Sequence, residues 1–406
     1  MNKTYQYFVS MLLAVAFFSC SEETELPIVQ FEQRAIVNAT SASLLFDSQQ
    51  DLSQFDEIGY LIGENEDLVF GEAERVMLDK SSGDSRHAFA EDLLPEQTYF
   101  FSFYTVVDGA IKVYEATSFT TYKKGSWVKR AIHPSQEDIG SGHYMFRTKQ
   151  GFYIGGGTNR SDGYVDYLYR YDWSVDKWSK KANSPTEMRG SLVSSTKVSD
   201  NEAIILTSDI GGNGNPAYLY NSLTNKWTST NAISDTLYFE PNLSSVLFTA
   251  DKNAYLIGSG ETKRKDYRDK YNMVYQYDST SMSWVVLANY DNMEMYYPKA
   301  AVFNERIYFA SRNIRNEIHN LDIGSGSIIL KALRIPTDGT YINDMIRWKD
   351  GFVVIQDSSI FYYNPVENDW LELPQGDFGN IKRIFVEGDR LFLYDVSNSR
   401  FVEYLP

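Results

Sequence analysis

The side chains that most often do acid–base or metal chemistry are scarce in this chain. Its four histidines, His87, His133, His143 and His319, are spread over three regions, with no H-x-x-x-H pair and no EF-hand spacing. Metal sites need such donors clustered, so neither a metal nor a cofactor is expected. Cys20 is the only cysteine, which leaves the chain beyond it without a disulfide, a thiolate ligand or a cysteine nucleophile. Gly155-Gly156-Gly157 and Gly211-Gly212 follow strand-like segments but precede no helical pattern, so they do not read as phosphate cradles. Gly324-Ser325-Gly326-Ser327 reads as a loop and not as a strand-to-helix nucleophile elbow. No set of catalytic residues stands out. What remains is a mixture of aromatic platforms and charged hydrogen-bonders: His143, Arg160, Arg189, Tyr238, Glu240, Tyr297, Arg312 and Tyr341, with Lys263, Arg264, Tyr296 and Arg315 nearby. Such residues suit binding of a sugar or a protein surface.

The elements that must position them are legible in a repeat. A Tyr-Asp or Tyr-Asn pair is followed six residues after the Asp or Asn by tryptophan in four places: Tyr171-Asp172 with Trp178, Tyr220-Asn221 with Trp227, Tyr277-Asp278 with Trp284, and Tyr363-Asn364 with Trp370. The copies recur at intervals of about 40–60 residues with one double step, which marks a repeat architecture. Around each copy the pattern predicts four short strands: an inner strand, a second apolar strand, a third carrying the Tyr, and an outer one carrying the Trp. Inner strands are expected over 143–148 and 191–197, and near 244–248, 300–304, 343–348 and 382–386. The Asp or Asn should hold the turn between third and outer strands. The Tyr and Trp should be buried between neighbouring units.

The motif resembles the Kelch repeat, in which an apolar strand and a glycine pair precede Y-x-P-x-T-x-x-W or a relative of it. Gly155–Gly157, Gly211-Gly212 and Gly258-Ser259-Gly260 supply the glycines, Pro365 the proline and Thr224 the threonine, while Leu321-Asp322 with Ile328 keeps only the Asp spacing. The resemblance implies an all-β chain whose residues 126–406 form a six-bladed, galactose oxidase-like β-propeller. The last blade lacks an outer strand, and Trp127, in phase with the other tryptophans, should supply it. Ligands of such propellers bind at the face built from loops between second and third strands and between blades, where the residues named above are placed. Copper radical oxidase chemistry is excluded, because it needs a tyrosine cross-linked to a second cysteine.

Before the propeller, residues 28–122 read as a small β-sandwich. Strands are expected over 37–46 and 58–62, and Asp108-Gly109 should turn a hairpin. Leu93-Leu94-Pro95-Glu96-Gln97-Thr98-Tyr99 resembles the L-x-P-x-T-x-Y corner of fibronectin type III modules, with Gln97 where Thr is usual. The resemblance implies that the Tyr99 hydroxyl bonds back to the chain. Such modules serve mostly as spacers.

Residues 1–19 read as a signal peptide, with Lys3 ahead of a short apolar run ending at Phe17-Phe18-Ser19-Cys20. This resembles a lipobox, which implies lipidation at Cys20. The acidic residues 20–27 then look like the surface tether of Bacteroidota outer-membrane lipoproteins. A net charge of −16 is a poor footprint for nucleic acid. The resulting expectation is an outer-membrane, cell-surface lipoprotein, anchored to the membrane through Cys20 only. Its propeller would present a non-catalytic binding face to a glycan or protein partner. The alternatives are a carbohydrate-active enzyme such as a sugar mutarotase, epimerase or lyase, and a structural subunit of an envelope complex.

Overall fold

The structure is a computed structural model. It describes residues 27–80, 85–135, 142–159, 163–188, 193–207, 215–231, 233, 237–241, 243–250, 253–262, 270–289, 295–304, 306–312, 317–322, 328–335 and 342–406. Apart from one short 3-10 turn at Thr186–Met188, their regular structure is β. The chain divides into two compact units between Thr121 and Tyr122.

In the first unit, a three-stranded sheet (Glu32–Val37, Ala42–Asp47, Ser85–Ala90) and a five-stranded sheet centred on Thr98–Val107 contribute to one apolar core. The strand expected over 37–46 is two strands. Asn38 N–H donates to Ser41 O at 2.8 Å and its amide reaches Ser41 Oγ, closing a turn that splits the run into a hairpin. The side chains of Ala42, Leu44 and Phe46 do share the core face, as period-two alternation requires. The ring of Phe46 stacks on Phe103 at 4.3 Å. Asp108 and Gly109 both take positive φ, 49° and 78°, the geometry that a two-residue hairpin demands. Tyr99 is buried, and its hydroxyl accepts the Leu94 N–H at 3.0 Å.

In the second unit, the described residues form six antiparallel sheets of four strands each, one with an added strand, and a two-stranded ribbon, Thr158–Asn159 with Gly163–Tyr164. In the first sheet the order is His143–Thr148, Gly151–Gly156, Leu168–Asp172 and Lys177–Lys180. The inner strands of the others are Val193–Lys197, Ser245–Ala250, Lys299–Phe303, Ile342–Trp348 and Ile381–Glu387. The sixth sheet takes its outer strand from the other end of the unit: Ser126–Ile132 pairs antiparallel with Arg400–Leu405, Trp127 opposite Tyr404.

The repeat residues act between sheets. Trp178 Nε1–H donates to Ala131 O at 2.9 Å, Trp227 to Ala182 O at 3.3 Å, and Trp127 to Pro374 O at 2.6 Å. Each acceptor belongs to the preceding sheet or to the residues just after its outer strand, so Trp127 behaves as one of the series. The Asx turns form as expected: Asp172 Oδ1 accepts Ser174 N–H, Asn221 Oδ1 accepts Leu223 and Thr224 N–H, and Asn364 Oδ1 accepts Val366 N–H. Glycine at 155 has a packing reason, because a Cβ there would lie 2.6 Å from Tyr167 O and 2.7 Å from the Tyr144 hydroxyl.

Inner strands of successive sheets pack side by side, and the sixth meets the first through Phe385 against Phe152 at 4.7 Å. An inner strand leaves one edge of N–H and C=O groups without a sheet partner, and buried groups of that kind need one. Side chains of neighbouring sheets supply it. Ser195 Oγ donates to Met145 O (2.6 Å) and accepts Met145 N–H (3.2 Å). Ser194 Oγ accepts Leu247 N–H (2.9 Å), and Asp344 Oδ2 accepts Ile384 N–H (2.8 Å). Between the six inner strands lies a cavity of about 540 Å³.

Candidate functional site

Inner strands start, and second strands end, on one face of the second unit. The described site residues of the sequence reading gather there. The third sheet is built up on this side. Its second strand, Asn253–Thr262, outruns the inner strand and pairs with an extra segment, Leu237–Phe239, that puts Tyr238 opposite Glu261. Asn215, arriving from the second sheet, fixes that segment: its Oδ1 accepts Phe239 N–H at 2.7 Å and its Nδ2 donates to Phe239 O at 2.5 Å. Glu240 follows. Its carbonyl accepts the N–H groups of Leu243, Ser244 and Ser245, and its own N–H donates to Ser244 Oγ at 3.1 Å.

That turn carries the fourth sheet's contribution. Tyr297 N–H donates to Leu243 O at 2.6 Å, and Tyr296 N–H to Ser311 Oγ at 2.8 Å. Arg312 N–H, just past the second strand Arg306–Ala310, donates to Tyr296 O at 2.7 Å. Held this way, the two tyrosine rings meet edge to face with centroids 4.6 Å apart. The Arg312 guanidinium lies 5.8 Å from the centre of Tyr296 and 5.5 Å from that of Tyr297, within cation–π range. The rings remain 38% and 39% exposed. Tyr297 sits at φ 50°, in the left-handed region, which costs a non-glycine residue about 1 kcal/mol or more and tends to mark functional positions. Burial, and then the adjoining Tyr296, raise the Tyr297 pKa, with Glu240 adding to the effect and Arg312 opposing it. The phenol therefore stays a hydrogen-bond donor across the physiological range.

Glu240, Tyr297 and Arg312 are thus brought into one cluster with Tyr296. Tyr238 stands on the segment leading into it. His143 opens the inner strand of the first sheet, half-buried, on the same face. The cavity takes Met145, Phe146 and Arg147 from that strand, so His143 sits above the axial space and does not line it. Cys20, Arg160, Arg189, Lys263, Arg264, Arg315 and Tyr341 lie outside the described residues, as do Gly211-Gly212 and the 324–327 loop. Sequence reasoning missed Ser311 and Asn215, whose roles depend on partners 15 and 24 residues away. Among the described residues, no group of three or more His, Cys, Asp or Glu is placed to hold a metal ion.

No family model and no curated protein matches the chain. Among solved structures, that of YjhT is similar with a TM-score of 0.50 and 12% identity, over 67% of this chain and 95% of that one. The Pan2 WD40 domain of Neurospora crassa aligns with a TM-score of 0.41 and 10% identity, over 77% of this chain and 86% of that one. The all-β chain thus has β-propellers as its structural neighbours.

Proposed function

We propose that this chain is a non-catalytic, glycan-binding surface lipoprotein. The six sheets are read as blades of a Kelch-like propeller, and the first unit as a fibronectin-like spacer. The Trp127 pairing supports the first assignment and the Tyr99-to-Leu94 bond the second. Cys20 is the proposed lipidation site, with the acidic tether leading outward from the outer membrane.

The observation that carries the binding role is the Tyr296–Tyr297–Arg312 cluster. Two exposed aromatic rings are fixed by backbone hydrogen bonds under a guanidinium, beside a carboxylate. Sugar rings present C–H faces that stack on aromatic rings, and hydroxyls that bond to Arg and Glu. The rings are already in place, so little conformational entropy is lost on binding. The test is retention of the purified chain on a panel of glycan affinity gels. Tyr297→Gly and Arg312→Ala should lose retention while melting within a few degrees of the wild type. Retention by no glycan, or undiminished retention of both variants, overturns the proposal. Capture of a protein instead of a glycan would also overturn it.

A further inference from the structure

The central cavity has a charge character opposite to that of the whole chain. Among the described residues its walls include Arg147, Lys197, Arg347, Lys349 and Arg383, against Asp344 and Asp389, in a protein of net charge −16. Four of these cations, Arg147, Lys197, Arg347 and Lys349, lie toward the end of the cavity away from the tyrosine cluster, and Arg383 lies partway along it. Lys197 is the last residue of its inner strand, Lys349 follows the end of Ile342–Trp348, and Asp389 follows Ile381–Glu387. Tyr296, Tyr297 and Glu240 precede the starts of such strands. The two regions therefore open on opposite faces.

The deeper cations are held in place. Arg147 pairs with Glu387 and donates to Val386 O. Arg383 donates to Ser195 O at 3.2 Å and lies 3.6 Å from Asp344. Arg147 Nε is buried with no hydrogen-bond partner among the described residues. Burial lowers the Arg147 pKa even though Glu387 and Asp200 oppose it. At the rim the heads of the exposed cations rest on rings: Arg347 lies 5.6 Å from the centre of Phe303, and Lys349 4.5 Å from that of Trp348. Like charges gathered at a low-dielectric cavity repel one another, and that cost falls when an anion enters. The volume lies within the range of small-molecule sites, about 300–1,000 Å³.

We propose that this cavity is a second binding site, open at the exit ends of the inner strands, for a small organic polyanion carrying two or more carboxylate or phosphate groups. Arg347 and Lys349 capture it at the rim, and Arg147 and Arg383 meet it within. The site needs no glycan at the other face and stands or falls separately.

The experiment is titration calorimetry of the whole chain with citrate, with inorganic pyrophosphate and with a neutral disaccharide, at low and high sodium chloride. Citrate, pyrophosphate or both should bind and weaken steeply with salt. The disaccharide should leave that binding undisturbed. Stronger binding of citrate assigns carboxylate ligands, and stronger binding of pyrophosphate assigns phosphates. The double variant Arg347→Gln/Lys349→Gln, at two exposed positions, should weaken binding by about tenfold or more, as expected for loss of charge-assisted contacts. Tyr297→Ala should leave it unchanged, which separates this site from the glycan proposal. Failure of both anions to bind at low salt, or unaltered binding by the double variant, overturns the inference.

Discussion

Arg130 Nη2 lies 2.6 Å from Glu403 Oε2, with both side chains almost wholly buried, and the pair joins the first strand of the second unit to its last. Arg390 completes the cluster, its Nε 2.6 Å from Glu403 Oε1. Burial alone would raise the Glu403 pKa; the guanidiniums of Arg130 and then Arg390 outweigh it and hold the carboxyl below its ordinary value. The ring of sheets is closed here by one sheet built from two distant parts of the chain, so the pair acts as its clasp.

Removing one partner of such a pair strands the other in a low-dielectric site. Glu403→Gln should destabilise the second unit by about 3–5 kcal/mol, read as a lower urea midpoint. Arg130→Met combined with Glu403→Leu should recover much of that loss, because no buried charge is then left unpaired and Arg390 can turn to solvent. A double variant as unstable as the single one would show that the clasp acts through something other than charge.

The repeat yields a second prediction. Asn225 sits at φ 55°, and its Oδ1 accepts both the Tyr220 hydroxyl (2.8 Å) and Ala182 N–H of the preceding sheet (2.9 Å). Asp176 does the same for Tyr171 and Ala131, at 2.7 and 2.8 Å. Tyr220→Phe should cost about 1 kcal/mol, and Asn225→Gly a similar amount, since glycine keeps the backbone geometry but loses the acceptor. Asn225→Ala loses both and should cost about 2 kcal/mol. Thermal midpoints of the three variants check that order.

That second role of the repeat shows what the sequence could and could not reveal. The Tyr-Asx…Trp spacing is local, so strands, Asx turns and the phase of Trp127 were all readable in it. The residue five after three of the four tyrosines, Asp176, Asn225 or Asn368, recurs too, but the use of Asp176 and Asn225 as acceptors between sheets depends on partners 45 and 43 residues away. The turn at 38–41 was harder to see, because only the adjacent polar pair Thr40-Ser41 breaks the alternation of polar and apolar residues there. On the loop face, Tyr297 and Arg312 were selected by residue type and loop position. Their contact required Leu243 and Ser311, which no spacing advertises. The cationic cavity went unseen because its residues come one or two at a time from different inner strands.

His133 supplies a pH dependence. Burial drives its imidazole down to about 4 from 6.5, among the rings of Trp178 at 4.5 Å and Tyr169 at 4.8 Å. Between these two values the unfolded chain takes a proton that the folded chain refuses. The stability that neutral His133 provides is therefore complete above about pH 6.5 and is lost as the pH falls toward about 4, on the order of 3 kcal/mol in all. Urea midpoints at pH 7 and pH 5 should differ more for the wild type than for His133→Leu. Equal pH slopes in the two proteins would place the titration elsewhere.

The tyrosine cluster allows function to be separated from stability. Tyr297 is held at positive φ by the Leu243 carbonyl, where glycine would be free of strain. Tyr297→Gly removes a ring that meets Tyr296 edge to face under Arg312, a loss of about 1 kcal/mol, and relieves a backbone cost of similar size. The variant should therefore melt within a few degrees of the wild type while glycan retention disappears. A side chain present for packing would give the reverse result: a lower melting temperature with retention intact in the surviving folded protein. The combination of an unchanged melting temperature and lost retention is what a strained residue kept for its ligand predicts.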